Sequence, residues 1–344
     1  MSDLKRLLGV DFPLIQAPMA GVQDSALTIA VATSGGLGSL PCAMLDEPSL
    51  RRELATIQAQ TRQPINVNFF CHRLPEVDAA REAQWRESLA PYYRELAIEV
   101  ARIRSGTTRT PFTAHALEVL REFRPAVVSF HFGLPSPELM AGLRSWNATI
   151  LSSATTVEEA RWLEGHGAHA IIAQGLEAGG HRGHFLSSDL TAQLSTLALV
   201  PQIVRKVAIP VIAAGAIADR AGIAAAFRLG AAAVQVGTAF LLCPEARTGP
   251  AHRAALKSDA SRHTALTNVF SGGAARGIVN RLMRERGPIN PLAPAFPLAS
   301  SAVAPLRAAA EARGSGDFSP LWAGQNVTGC RETPAAELVR ELLS

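Results

Sequence analysis

Residues 168–183 read AHAIIAQGLEAGGHRG and join two kinds of local structure. The first part, 168–173, is an apolar run that predicts a buried strand. The second part is a loop in which glycines flank His181, and residues without a Cβ atom let backbone or a ligand approach closely. A histidine on such a loop, directly after a strand, is a candidate acid or base. We therefore expect His181 to face a bound group rather than a packed core.

This strand is one of eight apolar runs that alternate with helical segments along the chain. The runs cover residues 13–20, 36–40, 64–70, 126–133, 149–154, 169–174, 209–216 and 232–240, with helical segments such as 25–34, 48–60, 156–166 and 219–229 between them. Continuous apolar runs are typical of parallel strands buried on both faces. Eight strand–helix units predict a (β/α)8 TIM barrel. A doubly wound open sheet is the alternative, but its Gly-x-Gly-x-x-Gly sequence after the first strand is missing.

Two stretches depart from this repeat. Residues 71–112 are too long for an ordinary connection, and such insertions on the C-terminal side of a strand often lie over an active site. After residue 242 the strand–helix rhythm stops, and a Pro-rich stretch follows at 288–297. We predict a barrel of residues 1–242, completed by 307–344, and a smaller helical cap of residues 243–306 on the substrate side.

Composition restricts the class of protein further. The 344 residues are 48% hydrophobic with a net charge of +4, and no apolar run reaches the roughly 18 residues that span a membrane. The N-terminus lacks a secretory apolar core, and the scattered arginines form no basic patch for nucleic acid. The four cysteines contain no C-x-x-C pair, so neither a zinc site nor a disulfide framework is indicated. We expect a cytoplasmic protein without a nucleic-acid or membrane partner.

Glycines end the last two predicted strands and suggest a phosphate site. Gly215 follows the seventh run, and Gly237 with Thr238 follows the eighth. Barrels often bind phosphate between these two loops, through glycine N–H groups and a following helix N-terminus. Tight turns alone would also require glycine, but the pair on adjacent strands favours phosphate binding.

Other strand ends carry polar or adaptable side chains. Asn68 and Gln174 are amides that can both donate to and accept from a heterocycle such as a flavin ring, although either one could instead hold loop backbone. Pro18 and Met19 form a rigid, apolar segment that could lie against a flat ring. His131 ends the fourth run and could join His181 in holding an anionic substrate.

The sequence gives weaker support for a metal site or for a catalytic nucleophile. The histidines that could ligate a metal are His72, His131, His181 and His184. They show no i, i+4 pairing and no grouped carboxylate, so we expect no metal site. No Gly-x-Ser-x-Gly elbow is present either.

Four ordered motifs make the chain similar to the nitronate monooxygenases, formerly called 2-nitropropane dioxygenases, and to class I among them. The motifs are Gln16-Ala-Pro-Met-Ala-Gly21, Asn66-Val-Asn-Phe-Phe-Cys-His72, Ser129-Phe-His-Phe-Gly-Leu-Pro135 and Gln174-Gly-Leu-Glu-Ala-Gly-Gly-His-Arg-Gly183. Their order and spacing match over essentially the whole chain, including Trp322-Ala-Gly-Gln325. The resemblance implies an FMN-binding barrel that oxidises alkyl nitronates, such as propionate 3-nitronate, with O2 to a carbonyl compound and nitrite. A monomer or homodimer is expected.

The resemblance also implies roles for residues of this chain. His181 matches the catalytic histidine, which adds to the substrate-binding role expected above for His131 and His181. The aromatic and lysine residues that some relatives place around the substrate have no clear match; Phe296 is the nearest aromatic. The residues expected to bind FMN are Pro18, Met19, Asn68, Gln174, Gly179, Gly180, Gly215, Gln235, Val236, Gly237 and Thr238.

A nitronate is already an anion, so it can give up an electron without C–H cleavage. A neutral nitroalkane must first lose a proton from carbon to a base, and His181 is the candidate for that base.

Two alternative functions remain at this point. One is an NAD(P)H-dependent reductase of a quinone or an enoyl thioester on a related flavin barrel. The other is a flavin- or phosphate-binding module without catalysis.

Overall fold

Eight parallel strands form one sheet in the computed structural model, which describes residues 3–103, 106 and 109–343. The strands of this sheet are β1 (Leu14–Gln16), β2 (Gly38–Pro41), β3 (Ile65–Phe70), β4 (Val127–His131), β5 (Thr149–Ala154), β6 (Ala170–Gln174), β8 (Val211–Ala214) and β9 (Ala233–Val236). Their order is β1-β9-β8-β6-β5-β4-β3-β2. The two ends meet where Gln16 N donates to Leu37 O at 2.9 Å, beside a parallel bridge from Ile15 to Leu37. The predicted (β/α)8 barrel is therefore confirmed.

Each of the eight predicted runs overlaps a barrel strand, and the first and last runs extend furthest beyond their strands. β1 ends at Gln16 because the chain turns towards Pro18, which has no N–H for a strand ladder. β9 ends at Val236, and residues Thr238–Leu242 form a 3-10 helix instead of continuing the strand. These early ends leave loops at the C-terminal edge of the barrel.

Helices surround the sheet. They are α1 (Asp3–Leu8), α2 (Ser25–Ala32), α3 (Glu47–Gln60), α4 (Ala79–Ser88), α5 (Ala90–Glu95), α6 (Ala114–Phe123), α7 (Pro137–Arg144), α8 (Val157–Gly165), α9 (Thr196–Val204), α10 (Arg220–Arg228), α11 (Pro250–Leu256), α12 (Arg281–Arg286), α13 (Ser300–Glu311) and α14 (Ala335–Leu343). Side-chain N-caps set many of their starts. The predicted cap of α10 is confirmed, since Asp219 Oδ1 accepts from Gly222 N at 2.8 Å, and Gly230 follows the helix with a φ of +97°.

Alternate residues of the strands belong to different hydrophobic clusters, as the two-residue period of a strand requires. Ile172 and Ile212 belong to one hydrophobic cluster, which contains residues from the barrel strands. Ile171 and Ala213 belong to a second cluster, which also contains residues of α2, α8, α9 and α14. Both faces of the sheet are therefore apolar, which explains the continuous apolar runs in the sequence.

A smaller unit covers the C-terminal edge of the barrel strands. It contains a three-stranded antiparallel sheet of β7 (Gly180–His181), β10 (Thr264–Thr267) and β11 (Ala275–Ile278). The segment 243–306, predicted as a helical cap, contains β10 and β11 in addition to the helices α11 and α12 and the start of α13. Each of these two strands has four residues, and neither alternates between buried and exposed positions, so the sequence shows no two-residue period there.

The helices α4 and α5 of the predicted insertion pack against this smaller unit. Trp85, Tyr92 and Tyr93 share a hydrophobic cluster with residues of α12 and α13, including Leu282 and Leu306. Tyr93 donates its hydroxyl to Ala302 O at 2.7 Å. A separate core therefore joins the insertion to the segment after the barrel.

Candidate active site

A cavity opens at the C-terminal ends of the barrel strands, beneath the smaller unit. It brings together nearly all the site residues predicted from sequence, although they come from distant parts of the chain. Those that line it are Pro18, Met19, Asn68, His131, Gln174, Gly179, Gly180, His181, Gly215, Gln235, Gly237 and Thr238. Val236 does not line the cavity: its side chain is 1% exposed and packs in the barrel core, while its carbonyl accepts from Ala17 N at 2.8 Å. The predicted contact of Val236 with a cofactor stays a prediction.

Two buried glutamines hold the loop after β1. Gln16 Nε2 donates to Gln23 Oε1 at 2.7 Å, and the same oxygen accepts from Met19 N at 2.8 Å. Gln23 in turn donates to Ser39 O at 2.6 Å, and Ser39 N donates to Gln16 Oε1 at 3.0 Å. The network ties the Pro18–Met19 loop to the neighbouring strand, so this wall of the cavity is preorganised.

The loops after β8 and β9 have the properties of an anion site. Gly215 and Ala216 both have positive φ angles, +126° and +58°, and a non-glycine residue keeps such a conformation only where its surroundings enforce it. In the described part of the chain, the backbone N–H groups of Gly215, Ala216, Gly237 and Thr238 donate to no protein acceptor. Four N–H groups at one end of the cavity, with a 3-10 helix starting at Thr238, suit a phosphate.

Gln235 provides a further polar atom at this end. Its Oε1 is buried and accepts no hydrogen bond from any residue within the described ranges, although Gln235 lines the cavity. An orphaned buried acceptor is costly unless a ligand supplies the donor. The site therefore fits a ligand that carries hydroxyl groups next to its phosphate.

His181 lies in β7, and its side chain makes one hydrogen bond to the described residues. Its Nε2 lies 2.8 Å from the Ser271 hydroxyl, while the imidazole packs against Phe296 and Trp322 at centroid distances of 5.0 and 5.5 Å. Burial lowers the pKa of His181 well below its usual value, and the nearby Arg109 guanidinium lowers that pKa further. The imidazole is thus neutral at physiological pH, and it lines the cavity.

His131 uses both ring nitrogens within the protein. Its Nδ1 lies 2.7 Å from Ser153 Oγ and its Nε2 lies 3.0 Å from the backbone carbonyl of His181. Burial lowers the pKa of His131 to about 4, so the ring is neutral. Since a carbonyl oxygen can only accept, Nε2 carries the proton and Ser153 donates to Nδ1. His131 therefore holds the backbone of His181, and the direct binding of substrate by His131 stays a prediction.

Gln174 also contacts the backbone carbonyl of His181. Its Nε2 donates to His181 O at 2.9 Å, and its Oε1 accepts from Gly183 N at 2.8 Å. Of the two interpretations open from sequence, these contacts favour the one in which the amide holds loop backbone. Asn68 differs, because its Nδ2 donates to Ser129 Oγ at 2.9 Å but its Oδ1 accepts nothing from the described residues. Asn68 therefore keeps one acceptor for a ligand.

Arg182 is fully buried and anchors the glycine-rich loop from behind. Its guanidinium donates to Gln174 O and Gly175 O, both at 2.7 Å, and to Gln193 Oε1 at 2.9 Å. Burial lowers its pKa to about 10, so Arg182 stays charged.

Cys71 is not suited to act as a nucleophile. Burial raises the pKa of its thiol, so the reactive thiolate form is disfavoured.

Sequence reasoning missed several residues of the site. Arg109, Ser153 and His252 line the cavity, and Ser271 contacts His181 from outside the cavity. Ser153 is the last residue but one of β5 and could have been found by its position near a strand end, in the same way as Asn68. Arg109, Ser271 and His252 lie outside the barrel strands, and no local pattern brings them to the cavity.

The fold and the site define a (β/α)8-barrel protein with one cavity at the C-terminal ends of its strands, lined by backbone N–H groups that donate to no described acceptor and by a neutral histidine. Comparison with known proteins makes the assignment specific. The family model for nitronate monooxygenase matches residues 1–344, and the chain belongs to that family.

Individual relatives agree over nearly the full length. A nitronate monooxygenase of Pseudomonas aeruginosa is 44% identical over 340 residues, covering 98% of this chain and 97% of the relative. One of Paraburkholderia phytofirmans is 43% identical, with 98% and 92% covered. The crystal structure of nitroalkane oxidase from Streptomyces ansochromogenes superposes with a TM-score of 0.90 at 38% identity, covering 99% of this chain and 97% of that one.

None of the described helices is long and apolar enough to cross a membrane.

Proposed function

We propose that this protein is an FMN-dependent nitronate monooxygenase that converts alkyl nitronates and O2 to carbonyl compounds and nitrite. The observation that carries the proposal is the meeting, in one cavity, of the unpaired N–H groups around Gly215 and Gly237 with the neutral imidazole of His181. Among the described residues that line the cavity there is no aspartate or glutamate, which suits an anionic cofactor tail and an anionic substrate.

The residues present fit FMN. The N–H groups at Gly215, Ala216, Gly237 and Thr238 would hold the phosphate, and the orphaned Oε1 of Gln235 would accept from a ribityl hydroxyl. Pro18 and Met19 would lie against the ring, and Asn68 Oδ1 would accept from a ring N–H. Gly180 would leave room for the ring, since an added Cβ there meets no atom within 4 Å.

FMN, when bound, supplies the capacity to take electrons from the nitronate and to pass them to O2. The chain's own residues do the remaining work. His181 holds the substrate's negative charge at the cavity by hydrogen bonding, and Ser271 orients its ring through Nε2 at 2.8 Å. For a neutral nitroalkane, His181 takes the proton from carbon, which needs the neutral ring that burial provides.

The test is anaerobic mixing of FMN-loaded protein with an alkyl nitronate, followed by admission of air. Loss of the oxidised-flavin absorbance without air, then recovery with release of nitrite and the carbonyl compound, supports the proposal. Bleaching by NADH or NADPH but not by nitronate would indicate the reductase instead. A protein that stays colourless after incubation with FMN would exclude both flavin functions.

A further inference from the structure

A segment near the C-terminus forms part of the wall of the cavity. Residues 324–330, which we call the C-terminal clamp, contain neither helix nor strand. Two of them, Gly324 and Asn326, line the cavity together with Gly215, Ala216, Gly237 and Thr238. The clamp has no secondary structure of its own to fix it, so its contacts with the barrel loops hold it in place.

The clamp is hydrogen-bonded to both loops that carry the unpaired N–H groups. After β9, Gly324 N donates to Thr238 Oγ1 at 3.0 Å, and the Cys330 thiol donates to Thr238 O at 2.9 Å. After β8, Asn326 Nδ2 donates to Ala216 O at 3.0 Å. The clamp thus joins the two loops to each other, although they follow different strands of the barrel.

The contact with Ala216 bears on a strained residue. Ala216 has a φ of +58°, in the left-handed region that a Cβ atom disfavours. In the described part of the chain, the bond from Asn326 is the only hydrogen bond that the backbone of Ala216 makes. The carbonyl and the N–H of one residue are linked through its φ and ψ angles, so a bond that fixes the carbonyl also restrains the N–H.

The amide of Asn326 is itself held in one orientation. Its Oδ1 accepts from Thr328 N at 3.2 Å and from Thr328 Oγ1 at 2.7 Å. Since the oxygen of the amide is used in this way, the NH2 group is the part that faces Ala216. The donor to Ala216 O is therefore preorganised by the clamp.

We propose that Asn326 is a positioning residue for the phosphate of the cofactor, because it holds Ala216 in the left-handed conformation in which the Ala216 N–H joins the other donors. The inference deepens the proposed function and rests on it, since it requires FMN phosphate at this end of the cavity. Asn326 then acts through Ala216, and its loss should weaken the grip on phosphate but leave the grip on the flavin ring unchanged.

A comparison of FMN with riboflavin tests this claim, because riboflavin has the same ring and side chain without the phosphate. Titration of each flavin with the full-length protein gives the Kd from quenching of flavin fluorescence. We expect Asn326→Ala to raise the Kd for FMN by about 3- to 10-fold, the effect of one lost hydrogen bond, and to change the Kd for riboflavin by less than about 2-fold.

A double-mutant cycle with Ala216→Gly shows whether the effect passes through residue 216. Glycine adopts a positive φ without the penalty of a Cβ atom, so it has less need of the bond from Asn326. In the Ala216→Gly background, Asn326→Ala should therefore raise the Kd for FMN by less than about 2-fold. A full 3- to 10-fold rise in that background would overturn the proposal, since it would mean that Asn326 acts on the ligand directly.

Asn290→Ala is the matched control. Asn290 lies outside the lining of the cavity and makes the same pair of contacts, since its Nδ2 donates to Arg286 O at 2.6 Å and its Oδ1 accepts from Leu292 N at 2.9 Å. This variant should leave the Kd for FMN within about 2-fold of wild type.

Two further outcomes of the titrations would overturn the positioning role. They are equal losses of affinity for FMN and riboflavin in Asn326→Ala, and an FMN affinity that does not depend on Asn326. Neither result would affect the proposed reaction, whereas wild-type protein that binds FMN but releases no nitrite from any nitronate would contradict the proposed function and leave these Kd comparisons valid.

Discussion

The Nε2 atom of His131 lies 3.0 Å from the backbone carbonyl oxygen of His181. The same oxygen accepts from Gln174, so both of its lone pairs are used and the short strand β7 is held at a defined height over the cavity. The imidazole of His181 therefore projects from a strand that is fixed from below. Activity should depend on groups that never touch the substrate.

Ser153→Ala tests this support. The change removes the donor to His131 Nδ1 and leaves a buried acceptor unpaired, at a cost of about 1–3 kcal/mol. We expect kcat to fall several-fold with little change in KM, and FMN content to stay the same. Steady-state kinetics and the flavin absorbance of purified protein measure both. A variant with wild-type kcat would show that His131 does not need Ser153 for its orientation.

His181→Asn separates the two kinds of substrate. The amide can still donate a hydrogen bond to an anion, but it cannot take a proton from carbon. Turnover of a neutral nitroalkane should therefore fall by about 100-fold or more, within the range for loss of a general base, while turnover of its nitronate falls much less. Parallel assays of nitrite release from the two forms give the comparison. Equal losses on both, at unchanged FMN content, would remove the base assignment.

Gly215→Ala tests the phosphate end. Gly215 has a φ of +126°, and an added Cβ would lie 2.6 Å from Thr196 Oγ1, so the loop must shift. We expect the Kd for FMN to rise by about 10-fold or more, as the N–H groups lose their alignment, measured by quenching of FMN fluorescence. Gly222→Ala is the control, because its Cβ meets nothing closer than 3.5 Å. Unchanged FMN affinity in Gly215→Ala would argue against phosphate binding by this loop.

Arg182→Met tests the anchor behind the glycine-rich loop. The thioether fills part of the buried volume but leaves three acceptors, on Gln174, Gly175 and Gln193, without their donor. We expect the free energy of unfolding to fall by about 3 kcal/mol or more, as measured by urea denaturation. The exposed Arg161→Met on α8 should change it by less than about 0.5 kcal/mol. A small effect at position 182 would mean that the loop is held by its other contacts.

Stability should decline in mild acid. The pKa values of His131 and His252 lie near 4 in the folded state, whereas an unfolded histidine titrates near 6.5. Between these values the unfolded state binds more protons, so stability rises with pH. It should be full above about pH 6.5 and fall as the pH drops towards about 4. Urea midpoints at pH 7.5 and 5.0 measure the loss, and His252→Gln should reduce it; a midpoint independent of pH would contradict the buried neutral rings.

The sequence could predict the barrel because its signals are local. Each strand is buried on both faces, so its apolar run needs no knowledge of its partners, and Asp219 with Gly230 marks a helix by cap chemistry alone. The ends of parallel strands must meet at one edge of a barrel, which is why residues as distant as Asn68 and Thr238 could be assigned to one cavity.

Tertiary structure alone decided what each of those residues does there. Gln174 and His131 are both strand-end polar residues, and only the distances to His181 O show that they hold backbone. Val236 has the same sequence neighbourhood as Gly237 but points into the core. Arg109 and Ser271 come from segments outside the barrel strands, and long-range packing brings them to His181. The apolar periodicity and the glycine positions were enough to predict the barrel, because each of these signals belongs to a single strand or turn. Hydrogen bonds between segments far apart in the chain form only when the chain folds, so the sequence alone could not predict them.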